Sequence, residues 1–148
     1  MGEGQGSAEP PVVRLARRYF ELAGDGADPG MLELVHPNVE IRIRKLGGRR
    51  TLRGKDEVAA FLEEVPTRFP VLESVAEEFK PVDEDRIVVG GRLRWMDEER
   101  VLRDDPMIWA LEFRDGLLFR STSVRSVSEA YAILAVDAPT SGDERGEG

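Results

Sequence analysis

The chain predicts an α+β domain, with helices packed on one face of an antiparallel sheet. Three observations carry this prediction. Apolar residues recur at helical spacing near the N-terminus, four strand-like stretches follow one another after residue 70, and Asp115-Gly116 joins the last two. Asp-Gly between alternating apolar runs is a strong hairpin signal, because both turn positions tolerate left-handed backbone. Helices that come early and strands that come together later segregate the two kinds of element.

Pro10-Pro11 opens a first helix, since proline suits a first turn. Val12, Leu15, Ala16, Tyr19, Phe20 and Ala23 form its apolar stripe, and Gly24-Asp25-Gly26 stops it. A short second helix runs from about Pro29 to Val35 and ends at His36-Pro37-Asn38. Val39, Ile41 and Ile43 alternate with Glu40, Arg42 and Arg44, the pattern of a half-buried strand. Lys45 to Arg50 reads as a polar loop. A third helix spans roughly Lys55 to Val65 on Val58, Phe61, Leu62 and Val65, extending toward Phe69. Strands are predicted at about Val71 to Pro81, Ile87 to Trp95, Val101 to Phe113 and Leu117 to Ser126, and Ser128 is placed to cap a final helix through Val136.

At 148 residues the chain is long enough to bury one core without staples. The organisation expected is a disordered tail at 1–10, a domain at 11–136 and a disordered acidic tail at 137–148, because the ends are rich in Gly, Ser and Glu with little apolar surface to offset their ordering entropy. Net charge is −8, and more than half of it lies in those ends. A mildly acidic body argues against nucleic-acid binding, which needs clustered basic charge. With no cysteine, disulfides and thiolate metal sites are excluded. The Met1 to Gly6 stretch lacks a leader's basic and apolar regions, and no apolar run approaches the roughly 20 residues of a membrane span, so a cytoplasmic protein without membrane contact is expected. Of 21 basic residues only Lys45, Lys55 and Lys80 are lysine, a bias associated with GC-rich bacterial genomes.

Four segments occur in order: Tyr19-Phe20-Glu21-Leu22 with Gly24-Asp25, His36-Pro37-Asn38-Val39-Glu40, Leu52-Arg53-Gly54-Lys55-Asp56-Glu57-Val58, and Leu111-Glu112-Phe113-Arg114-Asp115-Gly116-Leu117. Together they resemble the SnoaL-like branch of the NTF2-like (nuclear transport factor 2-like) superfamily over about Val12 to Val136. The resemblance implies an NTF2-like cone, a strongly curved antiparallel sheet wrapped around the N-terminal helices with a blind apolar pocket inside. It also implies a homodimer through the outer sheet face. Members include isomerases, cyclases, epoxide hydrolases, dehydratases and proteins without chemistry, so the fold leaves function open.

Period-2 alternation then assigns the pocket wall. Met107, Trp109, Leu111 and Phe113 share one face, continued by Phe119, Ser121, Ser123 and Arg125 on the next strand, and by Ile41 and Trp95 on earlier ones. Glu40, Arg42, Arg44, Arg92, Arg94, Glu112 and Arg120 take the opposite face. The expected ligand-binding set is Tyr19, Ile41, Trp95, Trp109, Leu111, Ser121, Ser123 and Arg125. Inward hydroxyls cost stability unless they meet backbone, water or a ligand. Arg125 either clamps an acidic group or snorkels to solvent, and the tryptophans either stack on a ligand or pack as core.

The inherited chemistries lack their residues. By resemblance to the steroid isomerases, the general base falls on Ile41, the oxyanion-hole tyrosine on Arg17 and the protonated aspartate on Trp109. The cyclase carboxylate position offers Ser123, and no inward pair of aspartates suits the epoxide hydrolases. His36 reads as a solvent-facing cap, and the acidic runs at 83–85, 97–99 and 104–105 as solvated turns rather than metal ligands. The reading is a domain that binds a small apolar molecule, with no catalytic residue, metal or cofactor assigned. Two alternatives stand beside it: an isomerase-, cyclase- or dehydratase-like enzyme on a hydrophobic substrate using Tyr19, Ser123 and Arg125, and a dimerisation or partner-binding module with a filled core.

Overall fold

Pro11 begins helix α1 (Pro11–Ala23), and Val12, Val13, Ala16, Tyr19 and Phe20 are its buried side. The computed structural model describes residues 9–23, 28–44, 49–97 and 99–136. Residues 1–8 and the tail at 137–148 lie outside these, as do the Gly24-Asp25-Gly26 stop and residues 45–48 of the expected loop. The Asp28 carboxylate accepts the Gly30 N–H at 2.7 Å and starts a 3-10 helix, Pro29–Leu34, which buries Met31.

The sequence places His36-Pro37-Asn38 at a helix end, but these residues belong to strand β1 (Val35–Ile43). Pro37 pushes the residue before it toward extended backbone, and Val35 and Val39 are fully buried. Strand β2 (Arg50–Arg53) occupies part of the expected loop and pairs antiparallel with β1. Helix α2 (Gly54–Arg68) follows at once, the Glu57 carboxylate accepting the Arg53 N–H at 2.7 Å. Then come β3 (Leu72–Pro81), β4 (Arg86–Met96), β5 (Leu102–Arg114), β6 (Leu117–Val124) and helix α3 (Val127–Val136).

The six strands form one sheet in the order β2-β1-β6-β5-β4-β3. Two expectations need correction here. The sheet is mixed rather than antiparallel throughout, because β1 and β6 run parallel. It is also open, neither closed nor strongly curled: β2 and β3 end the strand order as unpaired edges, so it is not a tightly wrapped cone.

The helices also divide between the two faces. Helices α1 and α2 bury their stripes against Val89, Leu93, Trp109 and Leu111 on one face. Helix α3 packs Ala130 and Leu134 on Val88, Ala110 and Val124 of the other, so the expectation of helices on a single face is corrected. Its cap is Ser126 rather than Ser128. The Ser126 hydroxyl accepts the Glu129 N–H at 3.1 Å, while Glu129 accepts the Arg125 N–H at 3.0 Å, a reciprocal arrangement close to a capping box. At the other end Arg86 donates to the Leu134 carbonyl at 2.7 Å.

Two bulges set side-chain directions. Asp115 and Gly116 have φ of 57° and 77°, as a tight turn with two left-handed residues requires, and Arg114 pairs with Leu117 across it. Pairing then runs from Phe113↔Leu118 to Glu112↔Arg120, leaving Phe119 as the extra residue. Leu118 therefore takes the inward place assigned to Phe119, whose ring lies instead against His36 (5.2 Å) and under the Arg114 guanidinium (3.8 Å). In β3, register shifts between Ala76↔Gly91 and Glu78↔Gly90.

That second bulge explains Gly91. A Cβ there would stand 1.8 Å from the Val75 carbonyl oxygen, a backbone atom, whereas one on Gly90 would meet first the Glu78 carboxylate at 3.4 Å, which can swing aside. Gly91→Ala is expected to cost about 1–3 kcal/mol, the usual toll of overpacking, and Gly90→Ala much less. Urea unfolding midpoints of the two variants check this; equal midpoints would refute the close approach.

Candidate functional site

Alternation along β1, β5 and β6 turns Ile41, Trp109, Ser121 and Ser123 to the α1/α2 face, with Ile41 opposite Ser121 and Trp109 opposite Ser123. Between them and the helices lies a cavity of about 100 Å³. Tyr19 and Met31 bound it on the N-terminal side, Val58, Phe61 and Leu62 of α2 form another wall, and Leu93 and Met107 continue the sheet. Ala23, Ile43, Leu72 and Ser74 keep partial exposure, so the cavity approaches solvent along their side.

The wall is apolar apart from a few neutral polar groups. Among the described residues no carboxylate, histidine, lysine or arginine lines the cavity. The hydroxyls of Tyr19, Ser121 and Ser123 and the Trp109 indole N–H are buried there, and none has a hydrogen-bond partner among the described residues. Buried polar groups are usually bonded. Burial pushes the Tyr19 phenol up to about 12, so at neutral pH it is a hydrogen-bond donor and acceptor without charge. Phe20 holds this end in place, its ring edge-on to Tyr19 (5.2 Å) and tilted on Trp109 (4.8 Å).

Helix α2 is clasped to the sheet beside the cavity. The Arg50 guanidinium donates to both Glu64 oxygens at 3.1 and 2.8 Å and lies over the Phe61 ring at 5.0 Å. Those bonds hold the Glu64 carboxyl well below the usual range, at about 2.

Of the eight residues expected in the site, Tyr19, Ile41, Trp109, Ser121 and Ser123 stand on the wall. Trp95 is half-buried at the β4 end, where its Nε1–H donates to Asp105 at 3.1 Å. Leu111 is core packing, fully buried without reaching the cavity. Arg125 is exposed beyond the end of β6, so its expected inward position is corrected: the strand, and with it the alternation, stops at Val124. His36 is not a base for this cavity, since its Nδ1 accepts the Asn38 N–H at 3.0 Å and its ring lies on Phe119. Among the described residues no group of His, Asp and Glu could hold a metal ion. Ser74 was missed at sequence level because it lies before the β3 bulge on a strand with no clear alternation, and the α2 wall because helical stripes do not say what they face.

The SnoaL-like domain family matches residues 16–121, and the chain belongs to that family. No curated protein matches it. Among solved structures, an NTF2-like protein of unknown function from Burkholderia pseudomallei is 24% identical with a TM-score of 0.66, covering 88% of this chain and all of that one. TerC co-crystallised with polyporic acid is 21% identical (TM-score 0.64, 84% of this chain and 98% of that one). A Mycobacterium tuberculosis protein in complex with estradiol-17beta-hemisuccinate is 17% identical (TM-score 0.62, 81% and 97%). At these identities the likeness is one of fold.

Two titrations test the electrostatics. With Tyr131 replaced by Phe, Tyr19 is the only phenol, and its phenolate absorbance should rise with a midpoint near 12 rather than 10; a midpoint at 10 would mean the ring is solvated. Because the folded value is the higher one, stability present below pH 10 is lost as pH climbs from 10 toward 12. In carbon-detected NMR the Glu64 carboxyl should titrate near 2 and return toward 4.5 in Arg50→Gln. The clasp's contribution, complete above the unfolded value of 4.5, is lost as pH falls toward 2.

Proposed function

We propose that this SnoaL-like domain binds a small, largely apolar molecule in the cavity, with one neutral polar atom held by the Tyr19, Ser121 and Ser123 hydroxyls. The observation that carries this reading is the set of buried hydroxyls with no partner among the described residues, facing an otherwise apolar space. Leaving such groups unbonded costs about 1–3 kcal/mol each, so a ligand that bonds them gains affinity from it. Structures of the same fold solved with polyporic acid and in complex with estradiol-17beta-hemisuccinate support the reading of a small-molecule-binding domain.

The two alternatives fare less well. An enzyme built on Tyr19, Ser123 and Arg125 requires all three at the cavity, and Arg125 lies outside it. A module with a filled core has no place for about 100 Å³ of internal space, several times what a single water needs. For a homodimer through the outer face, α3 leaves open the strip of β4 and β5 carrying Arg92, Arg94 and Asp104, and these already pair within the chain.

Acetophenone and ethylbenzene are matched probes, similar in shape and differing in one acceptor. Saturable binding of acetophenone is expected, about fivefold tighter than ethylbenzene, as ~1 kcal/mol from one net hydrogen bond implies. Ser121→Val should remove most of that preference. Val58→Phe, which fills the space, should keep or raise the melting temperature and weaken both probes more than tenfold. Undetectable binding of both probes by the unaltered protein, or unchanged binding in a folded Val58→Phe, would overturn the proposal.

A further inference from the structure

At the ends of β1 and β2, reaching round from the face opposite the cavity, lies a groove of about 240 Å³ lined by Arg42, Arg44, Arg49, Arg50, Thr51 and Thr122, together with Ile43 and Ser123, which also border the cavity. Among the described residues no carboxylate lines it, although the chain as a whole carries a charge of −8. At its centre is one cross-strand row: Arg42 of β1 pairs with Thr51 of β2 on one side and with Thr122 of β6 on the other. Their neighbours Ile41, Leu52 and Ser121 line the cavity, so period-2 alternation sends the row to the other face.

The row is built like an oxyanion cradle. Thr122 is 8% exposed, and its hydroxyl has no partner among the described residues. Arg42 donates only Nε–H, to Glu40 at 2.9 Å, which leaves the N–H groups of both Nη atoms available. Arg44 is held by Glu129 (3.2 Å) and the Ser123 carbonyl (3.4 Å), and Arg50 by Glu64. Arg49 is exposed and has no partner among the described residues. The carboxylates on the surrounding arginines are themselves shared, Glu40 with Arg53 and Glu64 with Arg68, so positive charge is in excess.

We propose that this groove is a binding site for a small oxyanion, a phosphate or carboxylate group, seated between Thr51 and Thr122 on the free side of the Arg42 guanidinium. A planar guanidinium offers two parallel donors to such a group. The flanking hydroxyls supply neutral donors, and the remaining arginines attract the anion from solvent. Ile43 and Ser123 border both spaces, but the contacts assigned to the anion, Arg42, Thr51 and Thr122, do not line the ligand cavity, so the site stands independently of the reading given to it.

Titration with inorganic phosphate, and separately with acetate, at constant ionic strength in chloride and read by calorimetry and the arginine Nε–H resonances, tests this. Saturable binding of at least one anion is expected, weakened tenfold or more in Arg42→Gln and severalfold in Thr122→Val. It should be unchanged in Arg92→Gln, which removes a distant cation, and in Val58→Phe, which fills the cavity. Tighter phosphate or tighter acetate assigns the anionic group. No saturable binding of either anion, or equal weakening in Arg42→Gln and Arg92→Gln, would overturn the site and leave only diffuse charge attraction.

Discussion

The register of the β5–β6 hairpin is the constraint on which the interior depends. The Asp115-Gly116 turn fixes which residues meet first, and the single extra residue at Phe119 then shifts every pair beyond it. Without that bulge Leu111 would face Arg120, and the serines would sit one place out of phase with Trp109. With it, Ser121 and Ser123 stand beside Leu111 and Trp109 on the buried face, and Thr122 turns to the other. On its other side β6 pairs with β1, where Ile41 lies opposite Ser121 and Arg42 opposite Thr122. One inserted residue thus turns Ser121 and Ser123 to the cavity and Thr122 to the groove beside Arg42.

The cavity is a compromise between packing and access. Helices α1 and α2 cover the sheet with Phe20, Phe61 and Leu62, yet leave the space between Tyr19 and Ser123 unfilled. Close packing would gain dispersion contacts there. The clasp between Arg50 and Glu64 keeps α2 over this space from outside, where ion pairs of exposed side chains contribute modestly and chiefly restrict geometry. Neutral hydroxyls inside and ion pairs outside give the site an uncharged interior next to a strongly charged rim.

Much of this was legible in sequence because it rests on local periodicity. The α1 stripe, the long strands and the Asp-Gly turn follow from spacing and turn chemistry alone. Residues that depend on distant partners were not legible. Strand β2 has four residues and becomes a strand only through β1. The parallel β1–β6 pairing joins segments about eighty residues apart. Helix α3 is apolar on most sides, so its sequence does not choose a face, and its placement on the outer one follows from Val88, Ala110 and Val124 being apolar there. Arg125 lies off the expected face because alternation was carried past the last paired residue, whereas Ser121 and Ser123 border the cavity because the bulge and the turn act together.

An open sheet also leaves two rows of backbone donors and acceptors at its borders, and unprotected borders invite strand-on-strand aggregation. Both are blunted by features that have other roles. The β2 border is only four residues long before α2 begins, too short to template an added strand. The β3 border is broken by the bulge over Gly91 and carries exposed Glu73, Glu77, Glu78 and Lys80. Edge-to-edge polymerisation is therefore disfavoured along both sides of the sheet.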